Sequence, residues 1–128
     1  MLIPDDLKYT REHEWVKVVN GELAVIGITD FAQAELSDIV YVELPQVGKT
    51  VSKGEEIASL EAVKTVASVY SPVSGEIVEV NEKLKDDPAL INKDPYGEGW
   101  ICKVKMTNKA ELDEYLSAQE YKKLIAEE

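Results

Sequence analysis

The sequence predicts a mainly β fold of antiparallel strands with short helices and a C-terminal helical pair. Three observations predict it. Between about Trp15 and Val104 apolar and polar residues alternate in short runs, the period of a strand with one buried face. Gly, Pro, Asn and Asp interrupt those runs where antiparallel strands need turns. From Asn108 onward the apolar spacing changes to that of a helix.

The first strands are Glu14 to Val19 and Leu23 to Ile28. Asn20-Gly21 between them favours a two-residue type I′ loop, because both positions accept positive φ. Asp30 is expected to cap a short helix over Phe31 to Leu36, with Gln33 as the third helical residue of a capping box. Strands follow at Ile39 to Leu44, Glu56 to Ala62, Val66 to Tyr70, Gly75 to Val80 and Gly99 to Val104. Before the last of these, Asp87 is expected to cap a turn that has Pro88 in first position and runs through Ala89-Leu90-Ile91. In the tail, Leu112, Tyr115 and Leu116 form one apolar stripe, and Leu124 and Ile125 another. Ser117 followed by Glu120 is a capping box, which predicts two short helices broken at Ser117.

A chain of 128 residues, 45% hydrophobic and 30% charged, is expected to form one domain over residues 1–128 without staples. Its net charge of −11 repels phosphate backbones and anionic headgroups, which argues against nucleic-acid and membrane partners. No apolar run approaches the roughly 18 residues of a spanning helix. The start, Met1 to Asp6, has neither the basic nor the apolar segment of a leader, so a cytoplasmic location is expected.

The inventory of reactive side chains is thin. One histidine, His13, and one cysteine, Cys102, are too few for a closed zinc site of His and Cys ligands. Cys102, between apolar neighbours at strand period, is expected to be a buried structural thiol. Gly97 and Gly99 lack the third glycine and the Lys-Ser/Thr ending of a phosphate loop, and read as a turn. Carboxylates without positioned nucleophiles point to a non-catalytic carrier or a binding module.

One stretch adds chemistry. Two alternating strands run into and out of Val63-Lys64, with Gly48, Gly54 and Gly75 marking turns and Pro72 a strand edge, so Lys64 stands at a hairpin tip. An exposed amine on a rigid two-stranded arm is what a modifying enzyme needs to select one lysine among many.

The stretch resembles a lipoyl attachment domain, and nearly the whole chain resembles the glycine cleavage H-protein family. The similarity rests on Tyr9-Thr10-Arg11-Glu12-His13-Glu14-Trp15, Gly27 to Gln33, Asp38 to Pro45, Glu61-Ala62-Val63-Lys64, Ser71 to Glu76, Leu90-Ile91-Asn92 and Asp94 to Trp100, in that order. The resemblance implies a lipoyl/biotinyl-type barrel-sandwich hybrid of two antiparallel sheets, with short helices and a C-terminal helical pair, in which Lys64 bears lipoate as an amide. Biotinyl domains place Met on both sides of their lysine, and Val63 and Thr65 disfavour that reading. Two positions depart from the family pattern. Ala62 stands where Ser is usual, and small size is kept, so modification is expected to survive. Ser37 stands where Gly is usual, at a helix end that calls for a left-handed residue, at an expected cost of about 1–2 kcal/mol.

The resemblance also implies a cycle. A pyridoxal-phosphate-dependent glycine decarboxylase loads an aminomethyl group on the arm, a tetrahydrofolate-dependent aminomethyltransferase removes it, and dihydrolipoamide dehydrogenase reoxidises the arm. A lipoate ligase or lipoyl transferase/synthase attaches it, and a monomeric shuttle would serve all of them. A cationic, hydrolysis-prone cargo calls for a partly dehydrated carboxylate, and Glu12, Glu14 and Glu35 are the candidates for these contacts. His13 is expected to be packed or hydrogen-bonded near the same edge. The alternatives are a lipoate donor or relay protein and a lipoyl domain serving a 2-oxoacid dehydrogenase. The flexible linkers usual for the latter are not seen here.

Overall fold

The computed structural model describes residues 1–128. Nine strands alternate with short helices: β1 (Lys8–Tyr9), β2 (Glu14–Val19), β3 (Leu23–Ile28), α1 (Asp30–Leu36), β4 (Ile39–Glu43), β5 (Thr50–Val51), β6 (Glu56–Ala62), β7 (Val66–Tyr70), β8 (Gly75–Val80), α2 (Lys83–Asp86), α3 (Leu90–Lys93), β9 (Cys102–Met106) and α4 (Ala118–Ala126). A 3-10 helix, Lys109–Glu114, lies between β9 and α4. No helix is long and apolar enough to cross a membrane.

Every strand pair is antiparallel. The larger sheet has the order β1-β2-β3-β9-β8-β5 and the smaller β4-β6-β7. Strand alternation buries one face of each sheet on the other, and the main core, with Ile26, Leu60, Ile77, Cys102 and Val104 fully or nearly fully buried, lies between them. A second, aromatic cluster of Tyr9, Trp15 and Tyr121 with Leu7 and Ala118 anchors α4 to the edge of the larger sheet. Tyr9 and Tyr121 stack there with ring centroids 4.7 Å apart. Cys102 is buried on β9 as expected, and burial pushes its thiol up to about 12.

Gly75 opens β8 where any β-carbon would collide with the carbonyl oxygen of Lys105 on the neighbouring strand, so only glycine allows that pairing. The β2–β3 hairpin is built on positive φ at Asn20 (53°) and Gly21 (77°), as the sequence requires. Its loop is nonetheless three residues long, because Val19 pairs with Leu23 and leaves Glu22 unpaired.

Other boundaries also differ from the sequence reading. Thr29, not Asp30, caps α1: it is extended, and its hydroxyl accepts the Ala32 N–H at 3.2 Å. Asp30 is then the first helical residue and accepts from Gln33 Nε2 at 2.7 Å, so Gln33 closes no capping box. Asp87 does not cap a turn with its side chain. Its N–H donates to Lys83 O, ending α2, a helix the sequence reading lacked, and α3 starts later, after Ala89. β4 ends at Glu43, one residue early. β9 begins at Cys102 instead of Gly99, because Gly99 donates to Asp94 O and Trp100 to Gly97 O, which holds both residues in the preceding turn.

The tail forms the expected helical pair, although its first member is the 3-10 helix capped by Asn108. Tyr115 and Leu116 lie beyond it in extended chain, and Leu116 exchanges two backbone hydrogen bonds with Tyr9. Ser117 and Glu120 make the reciprocal capping box that starts α4.

Candidate functional site

After a register shift between Glu56 and Ala58, β6 and β7 pair regularly from Ala58 and Val69 down to Glu61 and Val66, and Ala62 N–H donates to Thr65 O at 2.8 Å, leaving Val63-Lys64 as a two-residue tip. The tip is braced from the side, where Val63 N–H donates to Asp38 O at 3.2 Å. Lys64 is exposed and makes no ion pair. Val63 and Val66 beside it are 71% and 66% exposed, so the amine projects from a rigid apolar platform. Below the hairpin, Glu111 accepts from the Ser74 N–H and hydroxyl at 2.7 and 2.8 Å, fixing the loop into β8.

A cleft of about 330 Å³ opens along the flank of the same hairpin. Ala67, Ser68 and Val69 of β7 and Leu60 of β6 form one wall. Ile28 of β3 and Phe31, Ala32, Glu35 and Leu36 of α1 face them. Glu12, His13 and Glu14 close one end, and Glu128 joins them from beyond α4. No lysine or arginine lines it.

The structure thus gathers Glu12, Glu14 and Glu35 into one cavity but gives them unequal settings. Glu12 and Glu35 are exposed at the rim. Glu14 is 2% exposed and spans the two sheets: Oε1 accepts the Thr10 hydroxyl at 2.6 Å, and Oε2 accepts the Tyr70 N–H of β7 at 3.1 Å. Burial pushes its carboxyl up to about 7. The hydrogen bonds from Thr10 and Tyr70 pull it down only part of the way, and the negative Glu12 adds to the rise. Near neutral pH the group is poised between forms, and a cation arriving beside it favours the ionised one.

His13 is packed and hydrogen-bonded, as expected. Its ring lies 4.8 Å from that of Phe31, Nδ1 is 2.7 Å from the Tyr121 hydroxyl, and Nε2 is 3.2 Å from Glu128 Oε2. Thr10 and Glu128 are site residues that sequence reading missed. Thr10, four residues ahead of Glu14, had a local signal in its hydroxyl, whereas nothing near Glu128 tells that α4 ends at this cleft.

The residues present suit an acylated arm on Lys64. Lys64 is three to five residues from the β7 wall of the cleft, about 10–16 Å of extended strand. The wall offers apolar side chains to an acyl chain, and the end offers carboxylates to a cation.

The family model described as "Glycine cleavage H-protein" matches residues 7–128. The chain is 54% identical over 127 residues to the glycine cleavage system H protein of Carboxydothermus hydrogenoformans, covering 99% of this chain and 97% of that protein. It is 56% identical to the protein of the same name from Coprothermobacter proteolyticus, covering 99% of this chain and 100% of that one. Among solved structures, the crystal structure of a glycine cleavage system H protein from Mycobacterium marinum superposes with a TM-score of 0.89 at 43% identity, over 97% of this chain and 99% of that one.

Proposed function

Because the chain belongs to the glycine cleavage H-protein family, we propose that Lys64 is its point of lipoyl attachment and that the cleft ending at Glu14 receives the loaded arm. The family makes the chain a lipoyl-bearing shuttle of the glycine cleavage system. The observation that carries the site assignment is the pairing of an unpaired, solvated amine at a hairpin tip with a dehydrated carboxylate along that hairpin's flank.

Lipoate, when bound, supplies a dithiolane that accepts a one-carbon unit together with electrons. The chain supplies position and shelter. Lys64 Nζ forms the amide and loses its charge, which deepens the net charge of −11 by one unit. Phe31, Leu36, Leu60 and Val69 offer the apolar surface along which the arm folds, excluding water from its cargo. Glu14, ionised by loss of its proton to solvent, would hold a cationic amine on the arm through Oε1 or Oε2. Glu12 and Glu35, in water at the rim, draw the cation in rather than bind it.

In this reading the whole chain, residues 1–128, acts as one cytoplasmic, monomeric, non-catalytic carrier. It is loaded by a pyridoxal-phosphate-dependent glycine decarboxylase, unloaded by an aminomethyltransferase, reoxidised by dihydrolipoamide dehydrogenase and modified by a lipoate ligase or lipoyl transferase/synthase. Its negative charge favours partners with basic residues around their active-site entrances.

Peptide mapping of the chain made in lipoate-replete cells tests the attachment: the lipoyl mass is expected on the peptide containing Lys64, and its absence there refutes the assignment. Replacing Glu14 with Ala in lipoylated protein tests the seat. The aminomethyl group should be lost faster, and an unchanged half-life removes Glu14 from that role.

A further inference from the structure

The cleft contains more negative charge than Glu14 and its two rim neighbours explain. Glu128 also lines it, with its side chain 43% exposed, and a chain of hydrogen bonds connects it through His13 and Tyr121 to Thr29 at the cap of α1. The Glu128 carboxylate can only accept, so a neutral His13 carries its proton on Nε2, the nitrogen 3.2 Å from Glu128 Oε2, and Nδ1 accepts from the Tyr121 hydroxyl at 2.7 Å. With its own proton on that bond, the Tyr121 oxygen accepts from the Thr29 hydroxyl at 2.7 Å, and Thr29 Oγ1 in turn accepts the Ala32 N–H. The cap of α1, a buried tyrosine on α4 and the turn before β2 together aim one N–H at one carboxylate.

α4 does not depend on that arrangement for its anchoring. α4 is already held by the Tyr9–Tyr121 stack and the Ser117–Glu120 capping box. Bringing a fourth carboxylate to a cleft that has three, with no lysine or arginine to offset them, is unfavourable while no cation is present. The arrangement becomes favourable once a cation occupies the cleft. We propose that Glu128 is a second cargo-holding carboxylate beside Glu14 and that His13, oriented by Tyr121, is the positioning residue that keeps it at the cleft. This rests on the reading of the cleft as the seat of a cationic cargo.

The test uses the full lipoylated chain, loaded from glycine by the decarboxylase, with loss of the aminomethyl mass followed over time. E128Q keeps the size of a surface side chain and removes its charge. It is expected to shorten the lifetime roughly two- to fivefold, with an unchanged melting temperature. Y121F breaks the relay while leaving all four carboxylates, and should shorten the lifetime to a similar extent. The double variant should then be no shorter-lived than E128Q alone, because both changes act through one contact. A parent-like lifetime for E128Q overturns the proposal, as does a double variant whose loss is the product of the two single losses. E14A, measured alongside, separates the two levels. If E14A shortens the lifetime and E128Q does not, Glu128 is excluded and the cleft reading stands, whereas unchanged lifetimes for both refute the cleft reading together with this one.

Discussion

Lys64 and Glu14 belong to one hairpin's surroundings, yet water treats them in opposite ways. Lys64 stands in solvent at the tip, without a partner. Glu14 is 2% exposed and ties one sheet to the other through Thr10 and Tyr70. Forming an amide requires an accessible amine whose loss disturbs nothing, and sheltering a labile cation requires a carboxylate that water has left. A single side chain cannot meet both needs, and in the proposed function Lys64 and Glu14, set apart along β7, would each meet one. The Ser37-Asp38 segment joins the two regions: it leaves α1, the cleft's wall, and Asp38 O braces Val63 at the tip.

The largest expected effect breaks the comparison at the tip. K64R keeps the charge but cannot be acylated. Lipoyl mass and glycine exchange activity should both disappear, with the melting temperature unchanged because Lys64 holds nothing in place.

Next in size is the response of the cleft to pH. Glu14 titrates at about 7 in the fold against an ordinary value of 4.5, so between those values the folded chain binds more protons than the unfolded one. The stabilisation from protonated Glu14 is complete below about pH 4.5 and is lost as pH rises through 7. E14Q lacks this titration. The stability of the parent relative to E14Q should therefore fall by about 3 kcal/mol between pH 4.5 and 8, read from denaturant unfolding curves. A flat difference would show that Glu14 is hydrated after all.

The joint between the regions gives a smaller change. Ser37 has φ 62° and ψ −147°, a conformation close to one that only glycine adopts freely. S37G should gain about 1 kcal/mol, strain relief less the added freedom of the unfolded chain, and raise the melting temperature by a few degrees. Smallest is A62S. Ala62 is 4% exposed and its N–H is committed to Thr65 O, so a hydroxyl there should change stability by less than about 1 kcal/mol and leave the extent of lipoylation unaltered.

How much of this could be read from the sequence follows from the same division. The tip is made by consecutive residues, and alternation through Glu56–Ala62 and Val66–Tyr70 was enough to locate it. The cleft is made by topology. Glu12, Glu14 and Glu35 were legible as types of residue, but their depths were not, because the burial of Glu14 depends on β7 crossing over it. Glu128 lies more than a hundred positions from His13, and no local pattern records their contact. The two-residue strands β1 and β5 are too short to show a period, and the Thr29 cap was hidden by Asp30, an equally good candidate one residue on.

The burial of Cys102 has a consequence for redox partners. A protein whose appended group works by opening and closing a sulfur–sulfur bond would short-circuit if a thiolate of its own attacked that bond. Cys102 is shut inside the core with its thiol pushed up to about 12, so at neutral pH it offers almost no thiolate and no path for attack. In the proposed function, electrons delivered to the arm would have no thiol of this chain to pass to, and two copies of the chain have no surface thiol of their own through which to couple.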